Sequence, residues 1–180
     1  MSSRPFLDLF SGHADVYARA RPSYPGSLIR GLAELAPGRE RAWDAGTGNG
    51  QAARQLGDLF DQVHATDASA AQIAEATSHP RVTFAVEPAE RCTLPDQSCD
   101  LVLAAQALHW FDLDAFAREV ARVLRPGGVL VAIGYDWFYV DPIVDELIAR
   151  TILTPLQPLW VPNNWLLIDH YRTIELPGVE

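Results

Sequence analysis

The sequence predicts an α/β fold, a doubly wound and mostly parallel sheet with helices on both faces. Three observations predict it. From residue 41 to residue 133, short apolar or β-branched runs alternate with amphipathic helical patterns, the ordering that builds a parallel sheet. Residues 99–105, CDLVLAA, form a continuous apolar run between turn signals, which suits a central strand buried on both faces. Residues 41–50, RAWDAGTGNG, pass from a short strand into a helix through three glycines.

The elements follow in order. Residues 11–20 read as a short helix stopped by Arg21-Pro22, because the residue before proline is pushed out of the α region. Ser23-Tyr24-Pro25 opens a second helix, with Leu28, Ile29, Leu32 and Leu35 on one face and Pro37-Gly38 closing it. The glycine turn leads into a helix over 51–60. A second strand covers 63–67, and Ser69 with Gln72 makes a capping box for the next helix. A third strand, 81–86, starts just after the breaker Pro80. After the central strand, Asp112 caps a helix with Leu113, Phe116, Val120, Val123 and Leu124 in a stripe, ended by Pro126-Gly127-Gly128. The fifth strand is 129–133. Beyond it, Asp141 and Pro142 start a helix with Ile143, Val144, Leu147 and Ile148 on one face. Pro155, Pro158 and Pro162 then interleave with Trp160 and Trp165, which read as core or cap packing, and 171–177 reads as the start of another strand.

A chain of 180 residues, 48% hydrophobic, buries one real core and is expected to form one domain. The formal charge of −9 leaves no basic excess, which argues against nucleic acid or an anionic membrane as partner and points to a small molecule. No run approaches the roughly 18 apolar residues of a membrane span, no signal peptide is evident, and Cys92 and Cys99 lack CxxC spacing. A cytoplasmic location is expected. All 14 basic residues are Arg, so the lysine of a P-loop and that of a short-chain dehydrogenase are both missing.

The glycine turn carries the functional reading. Gly46, Gly48 and Gly50 allow positive φ and close approach of a ligand. A dinucleotide fingerprint needs its third glycine one place later, where Gln51 stands. Asp44, two residues before the first glycine, suits a ligand bearing an ammonium group and repels a pyrophosphate. Asp67 ends the second strand 17 residues after Gly50, close to the spacing at which a carboxylate meets a ribose diol; an ordinary N-cap or turn Asp is the alternative.

With its acid ahead of the glycines, this turn resembles that of the class I S-adenosylmethionine-dependent methyltransferases. Three later stretches are similar to that family's motifs: 94–102 (LPDQSCDLV), 105–112 (AQALHWFD) and 123–128 (VLRPGG). The QALHWF segment resembles a small-molecule branch, methyltransferase type 11, that includes trans-aconitate methyltransferase-like proteins. The likeness runs from about residue 10 to 175.

It implies a Rossmann-like fold that binds S-adenosyl-L-methionine and releases S-adenosyl-L-homocysteine. It places Gly46, Thr47, Gly48 and Gly50 under the cofactor, Asp44 near its methionine end and Asp67 at the ribose, with Ala68 and Gln106 completing the binding set. Pro88 fills the family's usual adenine-contacting acid position, so Glu90 or a backbone N–H near Ala89 serves instead. Residues 1–37 resemble an N-terminal lid in which Tyr17 or Arg21 meets the methionine carboxylate; surface packing of Tyr17, Arg21 and Tyr24 is the alternative. His109, at the mouth of the central strand, is the candidate general base, with loop packing against Trp110 as its alternative. Within one methyltransferase domain, 38–135 form the cofactor-binding core and 136–180 a cap. The family's sixth and seventh strands are not found, so the chain reads as C-terminally truncated and, with its fifth strand left as an apolar edge, as a homo-oligomer. The acceptor is expected to be a small molecule, a carboxylate among the candidates. A Rossmann-type oxidoreductase and a non-catalytic S-adenosylmethionine-binding module are the competing functions.

Overall fold

The structure, a computed structural model, describes residues 23–135 and 139–176. The predicted helix over 11–20, with Tyr17 and Arg21, lies outside the described residues. The described chain forms two compact units, one running to Ile133 and the other spanning Gly134–Glu175.

The first unit is the parallel sheet. Its elements are α1 (Gly26–Glu34), β1 (Arg41–Ala45), α2 (Gln51–Gly57), β2 (Gln62–Asp67), α3 (Ala70–Ala74), β3 (Val82–Val86), β4 (Cys99–Ala105), a 3₁₀ turn (Leu108–Trp110), α4 (Leu113–Val123) and β5 (Leu124–Ile133). Strand order is β3-β2-β1-β4-β5, every pair parallel. All seven residues of β4 are buried, as its unbroken apolar run requires. Order reverses between β1 and β4, and their carboxyl ends open the crevice in which such sheets bind ligands.

Alternation along the strands builds two cores. Ala42, Val63, Ala65, Leu101 and Leu103 pack with Ile29 and Ala33 of α1 and Ala52, Ala53 and Leu56 of α2. Trp43 emerges on the opposite face, fully buried, its ring 6.0 Å from that of Phe116 in α4. The stripe predicted for α1 is corrected: Ile29 and Ala33, one helical turn apart, are buried and Leu32 packs against the core, whereas Leu28 and Leu35 lie off that face and are exposed. Asp112 and Ser69 cap as predicted, accepting from the backbone N–H of Ala115 at 3.1 Å and of Gln72 at 3.4 Å.

β5 begins five residues earlier than the sequence indicates. Leu124 already pairs with Cys99, and the register then jumps so that Val129 pairs with Leu101, leaving Arg125–Gly128 as a bulge with Gly127 at φ +79°. The helix-ending glycines therefore serve a bulge inside the strand.

The second unit holds α5 (Pro142–Ile148), which continues through a π-helical turn (Ala149–Leu153) into α6 (Thr154–Leu156), then a 3₁₀ turn (Gln157–Leu159) and α7 (Asn164–Ile168). Asp141 caps α5, its Oδ1 accepting from the N–H groups of Ile143 and Val144. Trp160 and Trp165 pack on each other with ring centroids 5.7 Å apart. The strand predicted from residue 171 does not form among the described residues. His170 and Tyr171 take positive φ, 54° and 59°, and turn the chain where an extended run was expected. No helix of the described residues is long and apolar enough to cross a membrane.

Candidate cofactor site

The glycine turn between β1 and α2 is laced to β2 by hydrogen bonds. Thr47 N–H donates to the Thr66 carbonyl at 2.9 Å, and Gly48 N–H donates to Asp67 Oδ2 at 2.8 Å. The other Asp67 oxygen accepts from Ser69 N–H at 2.9 Å. Thr47 Oγ1 donates to Oδ2 of Asp44, which is 1% exposed, at 2.5 Å. Asp44, one residue before the end of β1, and Asp67, at the end of β2, thus hold the turn from either end, and Asp67 fills the structural turn role that the sequence offered as its alternative.

Two of the glycines are required on two grounds. Gly46 has φ +70°, and a Cβ there would lie 2.6 Å from Ala107 Cβ and 3.0 Å from Phe111 Cζ. Gly50 has φ +85°, and its Cβ would meet the Phe84 ring at 2.6 Å. Beside the turn lies a small recess of about 10 Å³, lined by Asp44, Gly46 and Thr47, by Tyr24 ahead of α1, by Gln51 and Ala52 of α2, and by Ala105 at the end of β4. None of the described residues lining it is basic.

Of the other predicted residues, Ala68 is exposed between Asp67 and Ser69, and Ala89 is buried. Glu90 Oε1 accepts from Asp112 N–H at 2.9 Å, which ties the loop after β3 to the start of α4. Gln106 takes φ +55° immediately after β4, its N–H donating to the Ile133 carbonyl at 2.7 Å. His109 is buried in the 3₁₀ turn with its ring 4.9 Å from that of Trp110, and burial pushes its pKa down to about 4. The imidazole is neutral at pH 7 and a much weaker base than an exposed histidine.

The remaining motifs hold the scaffold at the opposite end of the sheet. Asp100, 2% exposed, accepts from the N–H groups of Glu40 and Arg41 at 2.9 and 3.0 Å and from Arg125 Nη1 at 3.0 Å, which pins β1, β4 and the β5 bulge together. On α4, Arg122 pairs with Glu119 at 2.6 Å and with Asp96 at 2.7 Å, while Glu119 accepts from Cys92 N–H at 2.8 Å. Burial raises the Glu119 pKa, but the Arg122 hydrogen bonds outweigh it, and the net shift is downward. Glu87 behaves alike: burial opposes, yet bonds from His64 and Thr93 leave its carboxyl below the usual range.

A family model described as "Methyltransferase domain" matches residues 43–132, the stretch from β1 to β5 that carries the turn and the crevice. A Dictyostelium discoideum protein named as a methyltransferase is 35% identical over 94% of this chain and 66% of its own length. A solved structure from Anaeromyxobacter dehalogenans, described as a type II methyltransferase, superposes with TM-score 0.79 at 48% identity, covering 87% of this chain and 67% of that one. This chain belongs to the class I S-adenosylmethionine-dependent methyltransferases. Another methyltransferase structure, 26% identical with TM-score 0.53, covers 69% of this chain and 32% of its own; it is phosphoethanolamine N-methyltransferase 2 of Haemonchus contortus with phosphomonomethylethanolamine and S-adenosylhomocysteine. The chain spans between 45% and 66% of the length of the first curated methyltransferases it matches. Membership of this family sets aside the oxidoreductase alternative.

Proposed function

We propose that this chain binds S-adenosylmethionine over the glycine turn and directs its methyl group to a small-molecule acceptor, of the trans-aconitate methyltransferase-like kind, with a carboxylate as the first acceptor class to test. The observation that carries this reading is the pair of acids, Asp44 one residue before the end of β1 and Asp67 at the end of the adjacent parallel β2, beside a turn whose glycines leave room for a ligand.

In this reading the Asp67 carboxylate receives the ribose hydroxyls while still accepting from Gly48 and Ser69, since its two oxygens offer about four lone pairs. Asp44, screened from water, lies at the methionine end. Gly46, Thr47, Gly48 and Gly50 form the floor, Ala68 and Gln106 the edges, and the backbone near Ala89 with Glu90 the adenine side. Tyr17 and Arg21 are assigned to the methionine carboxylate. The bound cofactor supplies an already activated methyl group on its sulfonium. The chain's task is to align the acceptor and exclude water, and alignment supplies up to roughly 7–11 kcal/mol. A carboxylate acceptor needs no general base, which accords with a neutral, buried His109. Acceptors of phosphoethanolamine type in the Haemonchus relative support a small molecule over a polymer.

Calorimetric titration with S-adenosylhomocysteine and, separately, NADH tests the reading. Saturable binding of the first and none of the second is expected. Binding of NADH with no response to S-adenosylhomocysteine overturns it.

A further inference from the structure

We propose that Ala107 and Phe111 are positioning residues for the cofactor turn, and that ligand binding on the turn is thereby coupled to the order of the segment following β4. This rests on the proposed binding of S-adenosylmethionine at that turn. The segment from Gln106 to Asp112 is fixed at both ends, by the Gln106 N–H on the Ile133 carbonyl and by the Asp112 N–H on Glu90. Between these anchors it rests on the first glycine. Ala107 Cβ and the Phe111 ring occupy the space a Gly46 side chain would need, at 2.6 and 3.0 Å from it. Behind them Phe111 packs on Phe116 with ring centroids 4.8 Å apart, and Phe116 packs on Trp43, 6.0 Å away, in the strand that leads into the turn. Trp43 Nε1 donates to Thr66 Oγ1 at 2.9 Å, and the Thr66 carbonyl receives the Thr47 N–H.

The contacts therefore close a ring. Gly46 touches the segment, the segment touches α4, α4 touches Trp43, and Trp43 reaches the turn again through Thr66. Close-packed interiors transmit displacement, so neither the turn nor the segment shifts without the other. The coupling is reciprocal: a ligand that fixes the turn orders the segment, and loosening the segment weakens the ligand. Glu90 then acts through Asp112 as an anchor of the segment.

The test uses the full chain and S-adenosylhomocysteine. Phe111→Ala is expected to weaken binding at least about tenfold. In the wild type, ligand should slow amide exchange across 107–111 as well as 46–50, and in Phe111→Ala that slowing should be confined to 46–50. A size swap guards against a variant that merely misfolds: Gly46→Ala should weaken binding at least tenfold, and adding Ala107→Gly to it should recover at least threefold of that loss. Additive effects with no recovery, or ligand protection at 46–50 without any at 107–111 in the wild type, overturn the proposal. A wild-type chain that binds no S-adenosylhomocysteine overturns the functional reading itself, a result distinct from either.

Discussion

His109 gives the most direct link between burial and a measurable pH dependence. The folded chain holds its imidazole at a pKa of about 4, against an ordinary value near 6.5, because burial disfavours the charged form. The unfolded chain therefore binds the extra proton first. Stability from this group is present in full above pH 6.5 and is lost as pH falls toward 4. Taking those two values, the loss between pH 7 and pH 5 is about 2 kcal/mol, and by pH 4 roughly 3 kcal/mol. Glu87 and Glu119, whose carboxyls are held low, add losses of the same sign, but only as pH falls through the usual carboxylate range, so the window from pH 7 to 5 isolates the histidine. Urea unfolding at pH 7 and pH 5, for the wild type and for His109→Leu, makes the comparison. The wild type should lose about 2 kcal/mol more than the variant across that interval. Equal losses would refute the reasoning.

Asp67→Ala should weaken S-adenosylhomocysteine binding by about 1.5–3 kcal/mol by calorimetry, with Asp67→Asn milder because one oxygen remains for Gly48; unchanged affinity in a folded variant removes Asp67 from the site. Gly50→Ala should cost about 2–4 kcal/mol of stability in urea titration, from its positive φ and the Phe84 ring together. Asp100→Ala should cost about 3 kcal/mol, since it strands two backbone donors and Arg125, yet leave ligand affinity per folded molecule unchanged because it lies at the far end of the sheet. Among the described residues β5 pairs only with β4, so sedimentation at rising concentration should show self-association; a strictly monomeric chain counts against that edge being free.

The parallel sheet was legible because its signals are local. The run 99–105 suited a buried strand, the glycine turn marked its own strand and helix, and Asp112, Ser69 and Asp141 announced helix starts by chemistry that acts over three residues. The candidate site was legible to the same extent. Asp44, Gly46 and Thr47 do line the recess, and Asp67 does meet the turn. What stayed hidden depends on partners distant in sequence. Asp100 meets residues 60 and 59 positions earlier, Glu119 meets Cys92 27 positions earlier, and Glu90 meets Asp112 22 positions later. No periodicity marks such pairs. Phe84 and Phe111 read as ordinary strand and loop aromatics, since only the folded chain sets them against Gly50 and Gly46. The packing of His109 on Trp110 was among the alternatives the sequence offered, whereas the bulge that turns a helix-stopping Arg-Pro-Gly-Gly into part of β5 was not.

The central claim is that S-adenosylmethionine lies over residues 46–50 with its ribose on Asp67. A crystal structure of the chain with S-adenosylhomocysteine tests it most directly. The account predicts the adenosyl group across the turn, both ribose hydroxyls within hydrogen-bond distance of the Asp67 carboxylate, and the amino-acid end in the recess beside Asp44. The ligand bound elsewhere, or bound at the turn with its ribose away from Asp67, would contradict it.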